Sequence, residues 1–272
     1  MSSRPMPLDQ AYGLRCLFAH AQVLFIPVVS NPHVAFGGVL LERLCTAFTS
    51  LGKTTLVIDA AERSPEPDEM ADIDLSACVE SLSSQVHYLA AKGLPLRYVD
   101  THGSTAPFLD AVADAAPHVE IALVHASAAD LCRLFMGSSA RPLLMADDHP
   151  TSVTHAYAAM KLLMQRAQLK VCDLMLSVAP DSPRADRIAL QLATCAEDFF
   201  GAVLRQCVQV DPESAVHDAP TPALLRWAFQ TVQTAENEWD KAATPPRRPD
   251  PGRRGGLSHA THAASNADRA MN

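Results

Sequence analysis

Short apolar runs rich in β-branched residues recur along this chain, separated by stretches of helical periodicity, and that alternation limits the possible folds more than any other feature. The runs are VLFIPVVS (23–30), TLVID (55–59), LRYVD (96–100), EIALVHA (120–126), PLLMAD (142–147), KVCDLMLSV (170–178) and the weaker VLRQCVQVD (203–211). Helical spacing of apolar residues occupies roughly 8–20, 38–51, 105–117, 127–137, 150–168, 182–200 and 221–240. Runs that are continuously apolar, with no polar residue at every second position, denote strands buried on both faces. Strand and helix alternating at this pitch denote crossovers between parallel strands, so the expected fold is α/β with a doubly wound, mostly parallel sheet. Pro27 interrupts the first run. Proline has no N–H to give to a ladder, so either the pairing breaks there or the strand effectively begins near Val28.

Between the first two runs lies TSLGKTTLVIDA (49–60), whose GKTT copies the end of the phosphate-loop signature G-x-x-x-x-G-K-[ST]. The earlier glycine of that signature is missing, because Ala47 stands in its place. The polarity is also reversed: a phosphate loop leaves a strand and opens a helix, so that the helix N-terminus faces the phosphates. Here Leu40, Leu41, Leu44, Ala47, Phe48 and Leu51 mark a helix before Gly52, and a strand run follows it. Gly52 therefore reads as a helix C-cap and Lys53 as a cation at the helix end.

A chain of 272 residues supports a core that needs no disulfide staples. The excess of 30 acidic over 22 basic residues, a formal charge of -8, argues against a global nucleic-acid footprint. The seven cysteines are scattered singly, without C-x-x-C pairs or Cys/His clusters, which fits buried reduced thiols and no metal site. No secretory leader and no apolar run near the ~18 residues of a membrane span is found, so the expected location is the cytoplasm. From Ala243 the text turns to Pro, Gly, Ser, Arg and Ala without periodicity, the composition of a disordered tail. The expected division is an N-terminal docking segment (1–21), an α/β domain (22–242) and a tail (243–272).

Taken as one strand–loop–helix–strand unit, VVSNPHVAFGGVLLERLCTAFTSLGKTTLVIDA resembles the opening unit of the MinD/ParA-type P-loop ATPases, whose deviant phosphate loop K-G-G-x-G-K-[ST]-T follows the first strand. The fit needs no gap. It puts the counterpart of the phosphate loop at Asn31 to Gly38 and matches Ile58 and Asp59 to the V-I-D of the second strand. The resemblance implies that Pro32 occupies the place of the trans-acting lysine, Gly37 that of the phosphate-loop lysine and Gly38 that of the magnesium-binding Ser or Thr. His33 lies within the same loop. Downstream, IALVHASAAD echoes the family's strand ending in D-T-x-A-G, with His125 where its aspartate stands. Only Asp59 survives of the acids and lysines that hold Mg²⁺ and phosphate. The expectation is a degenerate loop made of Asn31, Pro32, His33, Gly37 and Gly38 with Asp59 and His125. No catalytic residue and no metal follow, and ATP with Mg²⁺ would be a cofactor only if this loop still works. Gly37 and Gly38 could form a backbone anion nest or serve a tight strand-to-helix turn.

Two further stretches resemble the flagellar branch of that family, FlhG/FleN (YlxH). PTSVTHAYAAMKLL is similar to its P-T-S-[IV]-T-D-A-Y-A-x-[IM]-K-L-L segment, with His155 in place of Asp, and LDQAYGLRCLF to its D-Q-A-x-x-L-R helix. The resemblance implies that Asp9, Gln10, Ala11, Leu14 and Arg15 dock on an FlhF-type signal-recognition GTPase and stimulate it, Gln10 being a residue type that can orient an attacking water. The function so implied is regulation of flagellar number and placement by a pseudo-ATPase. Flagellar transcription or basal-body proteins are further partners, nucleic acid is not contacted directly, and recruitment to the cell pole or inner membrane face and homodimerisation stay open. The alternatives are an active ATPase with an ATP-dependent monomer–dimer switch, and a degenerate ParA-like partition or polysaccharide-synthesis accessory protein. His87, His102, His118 and His149 read as surface histidines. Thr151 or Ser152 is the expected cap of a helix with Val153, Ala156, Tyr157, Met160, Met164 and Ala167 on one stripe. In the last helix Leu225, Phe229 and Val232 form the face expected to pack on the domain, and with one basic residue there, Arg226, membrane contact is expected to be weak or indirect.

Overall fold

The computed structural model describes residues 23–179, 182–214 and 218–243. The docking segment with Asp9, Gln10, Ala11, Leu14 and Arg15, and the tail beyond 243, lie outside the described residues. In chain order the elements are β1 (Leu24–Val29), α1 (Gly37–Ser50), β2 (Thr55–Asp59), β3 (Glu80–Ser81), β4 (Val86–Ala90), α2 (Pro107–Ala115), β5 (Ile121–Ala126), α3 (Ala128–Leu134), β6 (Leu143–Asp147), α4 (Pro150–Ala167), β7 (Val171–Ser177), α5 (Pro183–Phe200), β8 (Val203–Val210) and α6 (Pro222–Ala243). Contacts divide the chain into a main unit ending at Ala235 and a second from Glu236, of which the described part is the end of α6.

Among the described residues the strands form one sheet in the order β3-β4-β2-β5-β1-β6-β7-β8, parallel except for the short β3 against β4. The expected doubly wound α/β fold is what the sheet shows. One face packs Phe108, Leu131, Met160 and Leu192 of α2, α3, α4 and α5 into a continuous core. The other face carries α1 and α6, through Leu40, Leu44, Phe48, Leu224 and Trp227. Phe48 meets Trp227 edge-on, with ring centroids 6.0 Å apart, a geometry that the ring quadrupoles favour. The Trp227 indole donates to the buried Asp173 carboxylate at 3.0 Å, tying α6 to β7. Burial raises the Asp173 carboxyl above its ordinary range, and the Trp227 bond only partly offsets that.

Pro27 is accommodated by hydrogen-bond parity. Leu24 N and Ser30 N both donate into β5, at 2.8 and 2.9 Å, so even-numbered N–H groups face β5 and Pro27 faces β6. Pairing with β6 begins only at Val28, hence the missing donor falls where no ladder exists. Gly52 has φ +75°, the left-handed conformation of a C-cap glycine. Lys53 pairs with Glu120 at 3.0 Å just before β5 begins, at the edge of the sheet opposite the strand C-termini.

Several expectations are corrected. LRYVD is not a strand: Leu94–Tyr98 is a 3-10 turn, opened by Gly93 at φ +69° with Pro95 in its first residues. The strand on that flank is VHYLA, Val86–Ala90, parallel to β2 over its whole length. His149, and neither Thr151 nor Ser152, caps α4, while Ser152 is fully buried. The α4 stripe facing the core is Ser152, Ala156, Ala159, Met160, Leu163 and Ala167, rotated from the expected one because α3 and β6 are both packed against it. On α6 Leu224, Trp227, Ala228, Val232 and Ala235 are buried, leaving Phe229 exposed. His87 is buried, its ring 4.6 Å from that of the exposed His118. Cys45, Cys132 and Cys172 are buried, and burial pushes the thiols of Cys45 and Cys172 up to about 12.

The α1 face leads to a quantitative expectation. Phe48→Ala removes a fully buried ring against Trp227 and lowers unfolding stability by about 3–5 kcal/mol. Ile73→Ala, at a side chain 79% exposed, stays within about 0.5 kcal/mol. Urea unfolding followed by Trp fluorescence measures both.

Candidate functional site

Parallel strands joined by crossovers all end at one edge, and a crevice opens where connections from neighbouring strands leave in different directions. Here β1 lies between β5 and β6. A cavity of about 550 Å³ lies at their C-terminal ends, lined by the loop after β1, the start of α1, the ends of β2 and β5, and inward residues of α3 and α4.

The loop after β1 is pinned by Asn31. Its Nδ2 donates to Met145 O at 2.8 Å and Ser152 O at 3.0 Å, with Ser152 Oγ at 3.1 Å. Its Oδ1 accepts from His33 N at 3.1 Å, an Asx turn that sets the direction of the chain toward α1. Ser152 Oγ also accepts from Asp147 N at 3.0 Å, so one buried hydroxyl joins loop, strand end and α4. This explains a buried serine one turn into a helix otherwise apolar on that side.

α1 starts bare. Phe36 stands at its N-cap without a side-chain acceptor, and no acidic residue lies in the first turn. Neither Gly37 nor Gly38 has a positive φ. A Cβ on Gly37 would make ordinary contact with Met145 at 3.6 Å, and one on Gly38 would meet nothing. The strand-to-helix turn thus does not require either glycine, and their effect is to leave the helix start uncovered. The stretch Ser30 to Gly38 contains no Lys or Arg.

The core of the site is a cluster around Asp59. Asp59 and His125 are register partners at the ends of adjacent strands β2 and β5. His125 Nδ1 lies 2.8 Å from Asp59 Oδ1. Ser64 Oγ donates to the same oxygen, and Tyr88 OH donates to Oδ2 at 3.2 Å. Burial pushes the Asp59 carboxyl up, but the His125 and Ser64 bonds, the His125 charge and the Tyr88 bond together hold it below its ordinary range. Burial and the Asp59 charge raise the Tyr88 phenol. With Asp59 ionised, Nδ1 carries the hydrogen shared between them, and Nε2 is the ring nitrogen on the side away from Asp59. No hydrogen bond engages Nε2 among the described residues, and His125 lines the cavity.

The structure therefore brings Asn31, Pro32, Gly37, Gly38, Asp59 and His125 around one cavity. His33 is exposed, but its ring sits 5.8 Å edge-on from that of His155, which lines the same cavity. Burial, with His33 alongside, holds His155 below the ordinary histidine range, while Glu62 pulls the other way. Sequence reasoning missed Ser64, Tyr88, Glu62 and Arg63, and treated His155 only as a motif substitution. Tyr88 sits two residues diagonal to Asp59 across β2 and β4, a neighbour visible only once VHYLA is recognised as a strand. No group of His, Cys, Asp and Glu that could hold a metal ion occurs among the described residues.

With this geometry in view, the chain is similar in fold to several solved structures. It matches the MinD cell division protein of Aquifex aeolicus with a TM-score of 0.52 at 12% identity, covering 78% of this chain and 97% of that one. McdA from Cyanothece in complex with ATP matches with a TM-score of 0.54 at 12% identity, covering 78% and 96%. A plasmid partition protein from Borrelia burgdorferi bound to AMPPNP matches with a TM-score of 0.54 at 7% identity, covering 79% and 99%. At these identities the likeness is one of fold, the MinD/ParA-type α/β fold. No family model and no curated protein matches the chain. Among the described residues no helix is long and apolar enough to cross a membrane.

The Asp59 cluster has a measurable pH signature. A carboxyl whose folded pKa is depressed contributes stability that is complete above its unfolded pKa, ~3.9, and is lost as pH falls through the folded value. His125→Ala removes two of the causes that depress Asp59, so the loss of stability on acidification moves to higher pH. Urea midpoints measured from pH 2 to 6 on the parent and the variant report the displacement.

Proposed function

We propose that the chain is a regulator of the FlhG/FleN kind, built on the MinD/ParA-type fold, that acts through protein contacts and does not turn over ATP. The observation that carries this reading is the engagement of Asp59. The carboxylate that would serve Mg²⁺ or its water is held by His125, Ser64 and Tyr88, with one oxygen accepting two of those bonds. A Mg²⁺-bound triphosphate needs hard oxygen ligands for the metal and concentrated positive charge on the phosphates. The residues present do not fit that group: the loop has no Lys or Arg, Pro32, Gly37 and Gly38 stand at its lysine and hydroxyl positions, and Arg63, in the cavity wall, is offset by Glu62 beside it.

The contact assigned to the N-terminal segment is with an FlhF-type GTPase, through Asp9, Gln10, Ala11, Leu14 and Arg15, with Gln10 placed against the attacking water. Flagellar transcription or basal-body proteins are the further partners of this reading. The support is the D-Q-A-x-x-L-R match together with the PTSVTHAYAAMKLL segment, which in the fold is α4 and supplies Ser152 to the Asn31 anchor.

Two measurements test the proposal. Purified protein titrated with a fluorescent ATP analogue and Mg²⁺ is expected to show no micromolar binding and no phosphate release above background; either would overturn the inactive site. GTP turnover by an FlhF-type GTPase is expected to rise when the protein is added, and the rise to disappear with Gln10→Ala. Turnover that stays flat, or that rises equally with the variant, rules out the docking assignment.

A further inference from the structure

We infer that the cavity between α1 and α4 binds a small organic acid with an apolar body, the acid head meeting His125 and the body lying against the apolar wall of α1, β6 and α4. This rests on the reading that the crevice does not hold a Mg²⁺-bound triphosphate, and it says what the same space takes instead. Three observations support it.

The first is the dyad. Asp59 fixes the His125 ring through Nδ1 at 2.8 Å, which leaves Nε2 positioned with no hydrogen-bond partner among the described residues. When a carboxylic acid enters, its proton passes to Nε2. The products are a carboxylate facing an N–H on an imidazolium, itself backed by the Asp59 carboxylate, so no proton is lost or gained overall.

The second is the charge count. His125 protonated against Asp59 is neutral in sum, and so are Glu62 and Arg63, which line the same cavity. What remains is the uncapped start of α1, equivalent to roughly half a positive charge. That balance accommodates one negative charge and not the three or four of a nucleoside triphosphate. His155 adds a polar group to the lining: among the described residues its Nδ1 is shut off from solvent without a hydrogen-bond partner.

The third is the wall. Leu41, Met145, Ala158, Ala159 and Leu162 line the cavity, and these side chains offer no hydrogen bond to a sugar or a base. A volume of about 550 Å³ lies within the ~300–1,000 Å³ usual for small-molecule sites. An apolar chain of moderate length fills such a wall and leaves water, which its transfer favours.

The test uses the full chain, with octanoate, octanol and Mg²⁺-ATP as probes in calorimetric titrations near neutral pH. Octanoate is expected to bind saturably and at least about tenfold more tightly than octanol. His125→Asn keeps a donor toward Asp59 but lacks Nε2, and is expected to weaken octanoate about tenfold and leave octanol unchanged. Ala158→Trp, at an exposed lining residue, is expected to abolish both by filling the cavity. Absent octanoate binding, equal affinity for octanol, or octanoate binding untouched by His125→Asn or by Ala158→Trp would each overturn the inference. Binding of Mg²⁺-ATP would overturn the inactive-site reading beneath it, whereas failure of octanoate with ATP also silent overturns the acid site alone.

Discussion

The constraint on which the rest of this molecule depends is that the central strands of its sheet, β1, β2, β5, β6 and β7, are buried on both faces. A strand covered above and below has no water for its backbone groups, so every N–H and C=O must pair within the sheet. Parallel pairing with helical crossovers satisfies that demand, and it also forces every parallel strand to end at the same edge. The site owes its position to this: β1 is flanked by β5 and β6, the chain leaves their ends in different directions, and the space between is open before any side chain is considered. Pro27 shows how closely the pairing is accounted for, since its missing donor faces the one length of β1 that β6 does not reach.

On that edge, polar groups are linked in two closed sets. Asn31, Ser152 and the main chain at Met145 and Asp147 hold the loop against β6 and α4. Asp59, Ser64, Tyr88 and His125 join β2, β4 and β5. Buried or half-buried polar groups are stabilising only where their bonds are complete, and leaving one member without its partner costs about 1–3 kcal/mol. The two sets therefore act as clamps on either side of the cavity. They keep its floor rigid while the mouth, at Pro32, His33 and the start of α1, stays exposed.

Much of the fold was legible because it rests on hydrophobic pattern. The runs at 23–30, 55–59, 120–126, 142–147, 170–178 and 203–211 each coincide with a strand, and Gly52 with a left-handed C-cap. The failure at LRYVD against VHYLA has a physical reason. His87 and Tyr88 make the real strand look polar, but His87 packs on His118 and bonds Ser81, and Tyr88 reaches Asp59. The rotated stripe of α4 has another: two neighbours, α3 and β6, bury a wider arc than one face of a helix predicts. For the site, its residues were legible one by one and their relations were not. Asp59 was read as the one acid kept from a pattern and His125 as a substitution in it, and only strand register places them side by side.

That register gives the histidine at 125 its meaning. A carboxylate at 125 would stand opposite Asp59 on the neighbouring strand, and two carboxylates at that separation cannot both ionise at ordinary cost without a cation between them. Histidine reverses the sign of the second group. It offers a hydrogen bond when neutral and a compensating charge when protonated, so the β2–β5 edge is electrostatically complete from its own side chains. Ser64 then takes the second acceptor direction of Asp59 Oδ1 and Tyr88 one of those on Oδ2. The depressed Asp59 carboxyl follows from this completeness. Among the described residues Nε2 of His125 is left on the cavity side without a hydrogen-bond partner.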